Sequence, residues 1–194
     1  MDNYAVYYSY KKRGDVLQIV FNAETYATQQ IITGRVFTTY HNDEIMGYDI
    51  MNIKDIIKIK SDGLIYLPSN ELIDVINTLL KNENLPTLEY KKNSGFLIAE
   101  VKNVSDVIEL DLGDETVTAL KNKSDLKVGD KVVIAKVGTR LNDGKKVCTS
   151  SVNGREITAH ICTNRELSIE DNNDTFVIDE DVKNGQDFFM MEEK

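Results

Sequence analysis

The chain has no tryptophan, and only two cysteines, two prolines and two histidines among its 194 residues. Each scarcity excludes something. The apolar stretches last a few residues, against the ~20 that a helix needs to cross a bilayer, so no membrane partner is expected. Cys148 and Cys162 are too few for a disulfide framework. The opening Met1-Asp2-Asn3-Tyr4 has neither the basic region nor the apolar core of a signal peptide. Both features point to a reducing cytoplasm. The two thiols can pair across adjacent strands, but half-buried free thiols are the preferred reading.

His41, His160, Cys148 and Cys162 together lack the two spaced ligand pairs of a zinc site, so none is expected. Cys148 and His160 are the residue types of a nucleophile and its base, yet no third orienting group or oxyanion loop accompanies them. Gly113, Gly129, Gly138, Gly144 and Gly154 read as turn residues, and none opens a phosphate-cradling loop before a helix. No catalytic residue, metal or cofactor is therefore expected. A further gap concerns stacking: between Phe96 and Phe176 there is no Phe, Tyr or Trp. That argues against single-strand binding through base stacking.

What is present is charge, unevenly placed. The chain carries a net −9, with 28% charged and 41% hydrophobic residues, as in an ordinary globular protein. Residues 117–165 run against this balance, with ten Lys or Arg opposed by Asp125, Asp130, Asp143 and Glu156. Clustered cations on a β scaffold are the footprint of a polyanion reader, because each one placed on a phosphate releases counterions. A solvated, charged strand surface would look the same by charge alone. Residues 166–194 reverse the sign, with ten acids against Lys183 and Lys194. Such a tail can dock on a partner, fold over the basic face, or supply an edge strand with solubilising flanks.

The length suits two domains. Residues 1–92 read as an α+β domain of unknown function. Strands are expected at 4–10, 16–21, 33–40 and 45–53, followed by one helix. Ser69 after Pro68 is a good N-cap, and Leu72, Ile73, Val75, Ile76, Leu79 and Leu80 form an apolar stripe that reads as core. Lys91-Lys92-Asn93-Ser94-Gly95 is the expected boundary. Residues 93–194 read as an all-β barrel of the OB type with an acidic C-terminal tail. Its strands are expected at 96–101, 107–112, 116–120 and 131–137, with a hairpin turn at Asn142-Asp143-Gly144. Two more are expected at 146–150 and 156–162, and a final short one at 175–178.

Four segments keep a familiar order: Phe96-Leu97-Ile98-Ala99-Glu100-Val101, Asp111-Leu112-Gly113-Asp114-Glu115-Thr116, Val128-Gly129-Asp130-Lys131-Val132-Val133, and Ile161-Cys162-Thr163-Asn164-Arg165-Glu166-Leu167. They resemble the tRNA-binding OB-fold domain of free-standing bacterial tRNA-binding proteins, methionyl-tRNA synthetases and the phenylalanyl-tRNA synthetase β chain. Gly14-Asp15-Val16-Leu17 and Gly47-Tyr48-Asp49-Ile50 extend the resemblance to the partner domain of YtpR-type members. The family's His-Pro-x-Ala-Asp-Lys-Leu loop is absent, and its late Ser-Ser/Gln-Gly-Met signature falls on Ile157-Thr158-Ala159-His160.

The resemblance implies non-catalytic binding of tRNA or another structured RNA, by phosphate neutralisation and shape fit. The candidate RNA-binding residues are Lys121, Lys123, Lys136, Arg140, Lys145, Lys146, Arg155, Asn164 and Arg165. It also implies that the barrel can form a homodimer. The missing loop, the aromatic gap and the net negative charge leave an alternative open: a protein-interaction module whose degenerate OB-fold no longer binds RNA.

Overall fold

The structure, a computed structural model, describes residues 4–121, 125–179 and 182–191. It divides into two compact units, Met1–Lys92 and Asn93–Lys194.

The first unit begins with β1 (Ala5–Tyr8), a single helical turn α1 (Tyr10–Arg13) and β2 (Val16–Val20). Then come β3 (Gln29–Thr33), β4 (Val36–His41), β5 (Glu44–Met51), β6 (Gly63–Ile65) and α2 (Asn70–Asn82). The strands form one antiparallel sheet in the order β3-β4-β5-β2-β1-β6. The alternation of Leu17 and Ile19 on β2 sends both into the core, as a period of two requires. Ser69 caps α2 through its hydroxyl, which accepts from the Leu72 amide at 3.2 Å. Leu72, Ile73, Ile76 and Leu80 turn inward from the helix and share a core with Val6, Leu17, Ile50 and Tyr48.

Buried hydroxyls hold the segment after α2. Tyr4 donates to the Glu89 carbonyl at 2.6 Å and Tyr48 to the Pro86 carbonyl at 3.1 Å. Burial first, with Glu89 nearby, pushes the Tyr4 phenol up to about 12. Asn77 clamps Leu88 from both sides of its amide, donating to its carbonyl at 2.9 Å and accepting from its N–H at 2.8 Å. Gly47 sits where an added Cβ would lie 2.3 Å from the Ile19 carbonyl oxygen, so β5 and β2 approach as closely as they do only without a side chain there.

The expectation of a distinct α+β domain is overturned. Six strands and one helix of 13 residues make the first unit mostly β, and the described chain has fourteen strands against two α-helices. The sequence reading missed β3, because Gln29-Gln30-Ile31-Ile32-Thr33 is exposed and lacks the apolar alternation of a half-buried strand. It also ran β1 through Tyr10, where the chain instead coils into α1.

The second unit contains β7 (Phe96–Val104), β8 (Val107–Asp111), β9 (Thr116–Leu120), β10 (Lys131–Lys136), β11 (Ser150–Val152), β12 (Arg155–Ile157), β13 (Ala159–Ile161) and β14 (Val177–Ile178). Five of them close a barrel: β13-β9-β8-β7-β10, with β10 pairing back onto β13. The β13–β9 pair is parallel and the other barrel pairs are antiparallel. This five-stranded closure fits an OB-fold. Its interior holds Val101, Ile108, Leu110, Val132, Ile134 and Ile161 among others. Where strands are expected at 146–150 and 156–162, the chain forms the ribbon β11–β12 around Asn153-Gly154, and β13 follows it.

The acidic tail is built into this unit. β14 lies along β10, and the Ile98 amide donates to the Gln186 carbonyl at 2.9 Å. Gly185 approaches the barrel so closely that a Cβ would meet the Leu112 carbonyl oxygen at 2.3 Å. Asp187, 8% exposed, accepts from the Ser94 amide and from the Ser94 hydroxyl at 2.8 Å. Phe189 meets Phe96 edge-on at 5.4 Å and Phe188 meets Phe176 at 5.6 Å.

Two stability outcomes follow. Ile76→Ala empties a fully buried position and should cost about 2–5 kcal/mol, read from urea midpoints of the full chain. Asp187→Ala strands the Ser94 donors and should cost about 1–3 kcal/mol in the same measurement. An unchanged midpoint for Asp187→Ala would mean that the Ser94–Asp187 contact adds nothing to the barrel.

Candidate nucleic-acid interface

At one end of the barrel a cleft of about 340 Å³ opens beside β13. Its apolar floor includes Leu120, Leu141, Ile157 and Ile161. Asp143, Lys145, Lys146 and Cys148 line it from the loop between β10 and β11, and His160 and Glu166 line it from β13 and the turn beyond.

The loop owes its shape to local chemistry. Asn142-Asp143-Gly144 turns the chain as the sequence predicts: the Gly144 amide donates to the Leu141 carbonyl at 2.9 Å and the Leu141 amide to the Lys145 carbonyl at 2.8 Å. Asp143 accepts from the Lys145 amide at 3.0 Å. A lone bridge joins Arg140 to Lys146. Arg140 is only 7% exposed and donates to the Gly144 carbonyl at 3.1 Å. It braces the turn from beneath.

His160 projects from β13 between buried Ala159 and Ile161, and its Nε2 lies 3.0 Å from both carboxylate oxygens of Glu166. Glu166 also accepts from the Thr163 amide at 2.8 Å and the Thr163 hydroxyl at 3.0 Å. Burial pushes its carboxyl up, but the bonds from His160 and Thr163 outweigh this and hold it below the usual glutamate range. Sequence reasoning passed over Glu166, whose signal was its place three residues after Thr163 in a turn.

The candidate cations part company here. Lys145 is 80% exposed at its side chain and pairs with Asp143 at 2.6 Å, which holds its ammonium above the usual lysine range. Lys146 is half-buried on the cleft wall. Lys121 is exposed just after Leu120. Lys123 lies outside the described residues. Lys136 pairs with Glu115 at 2.6 Å, Arg155 with Glu109 at 3.3 Å, and Arg165 with Asp171 at 2.8 Å. Asn164 donates to the Asn172 side chain at 2.9 Å, within a turn. The cleft thus gathers Lys145 and Lys146. The other described candidates do not line it.

Both thiols are free. Cys148 is exposed, and Cys162 is buried, which pushes its thiol well up. No helix among the described residues is long and apolar enough to cross a membrane.

The arrangement can hold an anionic, partly flat group, with lysines for charge and an apolar floor for contact. Exposed ion pairs are worth about 0–1 kcal/mol, so Lys145 can exchange Asp143 for a phosphate at small cost. The Glu166 carboxylate carries a pH signature. Its pKa is depressed on folding, so its contribution is complete above the ordinary glutamate value and is lost as pH falls through the lower folded value. Glu166→Gln should therefore lower the urea midpoint near neutrality, with the gap to wild type closing across that acid range. A gap independent of pH would remove the carboxylate's role.

No family model matches the chain. Over 84 residues it is 31% identical to the "Phenylalanine--tRNA ligase beta subunit" of Syntrophotalea carbinolica, a match covering 43% of this chain and 10% of that one. Over 170 residues it is 26% identical to the "Putative tRNA-binding protein YtpR" of Bacillus subtilis, covering 84% of this chain and 76% of that one. The resemblance read from the sequence motifs is borne out: along most of its length the chain is similar to the YtpR protein.

Proposed function

We propose that the chain binds tRNA without catalysing a reaction on it, through the cationic cleft of the second unit. The observation that carries this reading is the similarity across 84% of the chain to a protein named for tRNA binding rather than for catalysis. The match to a phenylalanine–tRNA ligase subunit supports the same ligand.

Lys145 and Lys146 carry the first contacts, on phosphates, with Lys121 and Lys123 as further candidates after β9. Lys136, Arg155 and Arg165 join only if the RNA displaces Glu115, Glu109 and Asp171 from them. Arg140 acts as a brace for the loop. The absence of aromatics between Phe96 and Phe176 supports recognition of a folded RNA by shape. A cytoplasmic site of action accords with this ligand.

One observation favours a second reading, a protein-interaction module: the candidate cations Lys136, Lys145, Arg155 and Arg165 already hold ion-pair partners within the unit. Filter-binding titration with total cellular tRNA at about 50 and about 200 mM salt separates the two. RNA binding predicts affinity that falls steeply with salt. Lys145→Glu with Lys146→Glu should then weaken it by about tenfold or more and make the salt slope shallower by roughly one to two. No binding at low salt would leave the interaction-module reading.

A further inference from the structure

β3 is an edge strand without the usual protection. It pairs with β4 on one side and ends the sheet on the other. An edge strand presents a row of backbone donors and acceptors to any strand that approaches, and natural edges are blunted by charge, proline, bulges or brevity. Gln29, Gln30, Ile31 and Ile32 are exposed, with Ile31 at 41% and Ile32 at 61%. The strand pairs with β4 in unbroken register from Gln29↔Tyr40 to Thr33↔Val36. Neither charge nor proline interrupts it. The opposite edge is different: β6 has three residues and follows a stretch bearing Lys58, Lys60 and Asp62.

Charge decides what can dock there. Thr25 to Gly34 is the longest stretch of the chain without Asp, Glu, Lys or Arg. In a protein of net −9, two copies repel over much of their surface, and a neutral edge is where they can meet. We infer that β3 pairs antiparallel with β3 of a second copy, about a two-fold axis at Ile31. This register sets Ile31 against itself, Gln30 against Ile32, and Gln29 against Thr33. Ile31 lies opposite Thr38 on β4, which is buried at 1%, so the Ile31 pair extends the α2-facing side of the sheet.

The charges at the strand's end are also compatible. Arg35 follows Gly34, and Glu83 reaches the position that a Cβ on Gly34 would take. The two-fold places that end against the partner's uncharged 27–28 segment, so no like charges face each other. The contact is isologous and uses up the β3 edge of both copies, giving a dimer, and the short β6 is the sheet edge that remains. Five residues a side is a small interface, so association is weak and depends on concentration.

Sedimentation equilibrium of nuclease-treated, full-length protein from about 1 to about 100 μM tests this. A dimer fraction that rises with concentration is expected. Ile32→Lys and, separately, Gln30→Lys place a charge on the exposed edge and should each raise the dimer dissociation constant at least about tenfold. Far-ultraviolet circular dichroism and the melting temperature should stay as in wild type, because both side chains are exposed. A monomer at the highest concentration overturns the inference, as does a dimer that survives either variant; the latter would place self-association elsewhere, as in the barrel.

Discussion

Ala159, His160 and Ile161 close the barrel, and most of the second unit rests on this closure. The three residues of β13 pair with β10 on one side and reach β9 on the other in the only parallel pairing among the described strands. Without that closure β9 and β10 would expose open edges, and the apolar faces of Val117, Ala119, Val132 and Ile134 would lose their enclosure. Ala159 and Ile161 face inward and force His160 outward, as strand alternation demands. The geometry of the cleft is thus a by-product of the closure: its His–Glu wall stands where β13 presents its one outward side chain.

The electrostatics of this surface come from pairing as much as from composition. The 117–165 segment carries a cationic excess, yet Glu109 and Glu115 precede it and Asp171 follows it, and these return to neutralise Arg155, Lys136 and Arg165. Lys145 and Lys146 stand beside the apolar floor of the cleft. A weak exposed pair such as Lys145–Asp143 keeps the cleft soluble when empty and yields when a polyanion arrives.

The acidic tail illustrates the same point from the other direction. Its sequence allows docking on a partner, folding over the basic face, or an edge strand with solubilising flanks. In the fold Asp187 is buried against Ser94, Phe188 and Phe189 meet Phe176 and Phe96, and the 185–187 segment runs beside Leu97 and Ile98. The first barrel strand is flanked along this stretch by the chain's own end.

Much of the architecture was legible because its signals are local. The Ser69 cap and the stripe from Leu72 to Leu80 specify α2, and alternation with turn residues locates the barrel strands within a few positions. Ordered motifs also carried the relationship to a tRNA-binding protein. The sequence could not reveal β3, which has no buried face to leave a period, nor that six strands against one long helix and one helical turn make the first unit mostly β. It could not show that Arg140 lies beneath its own turn, that Glu166 holds His160, or which cations are already paired. Those facts depend on contacts between residues far apart in the chain, where burial and charge pairing are set by barrel closure rather than by neighbouring sequence.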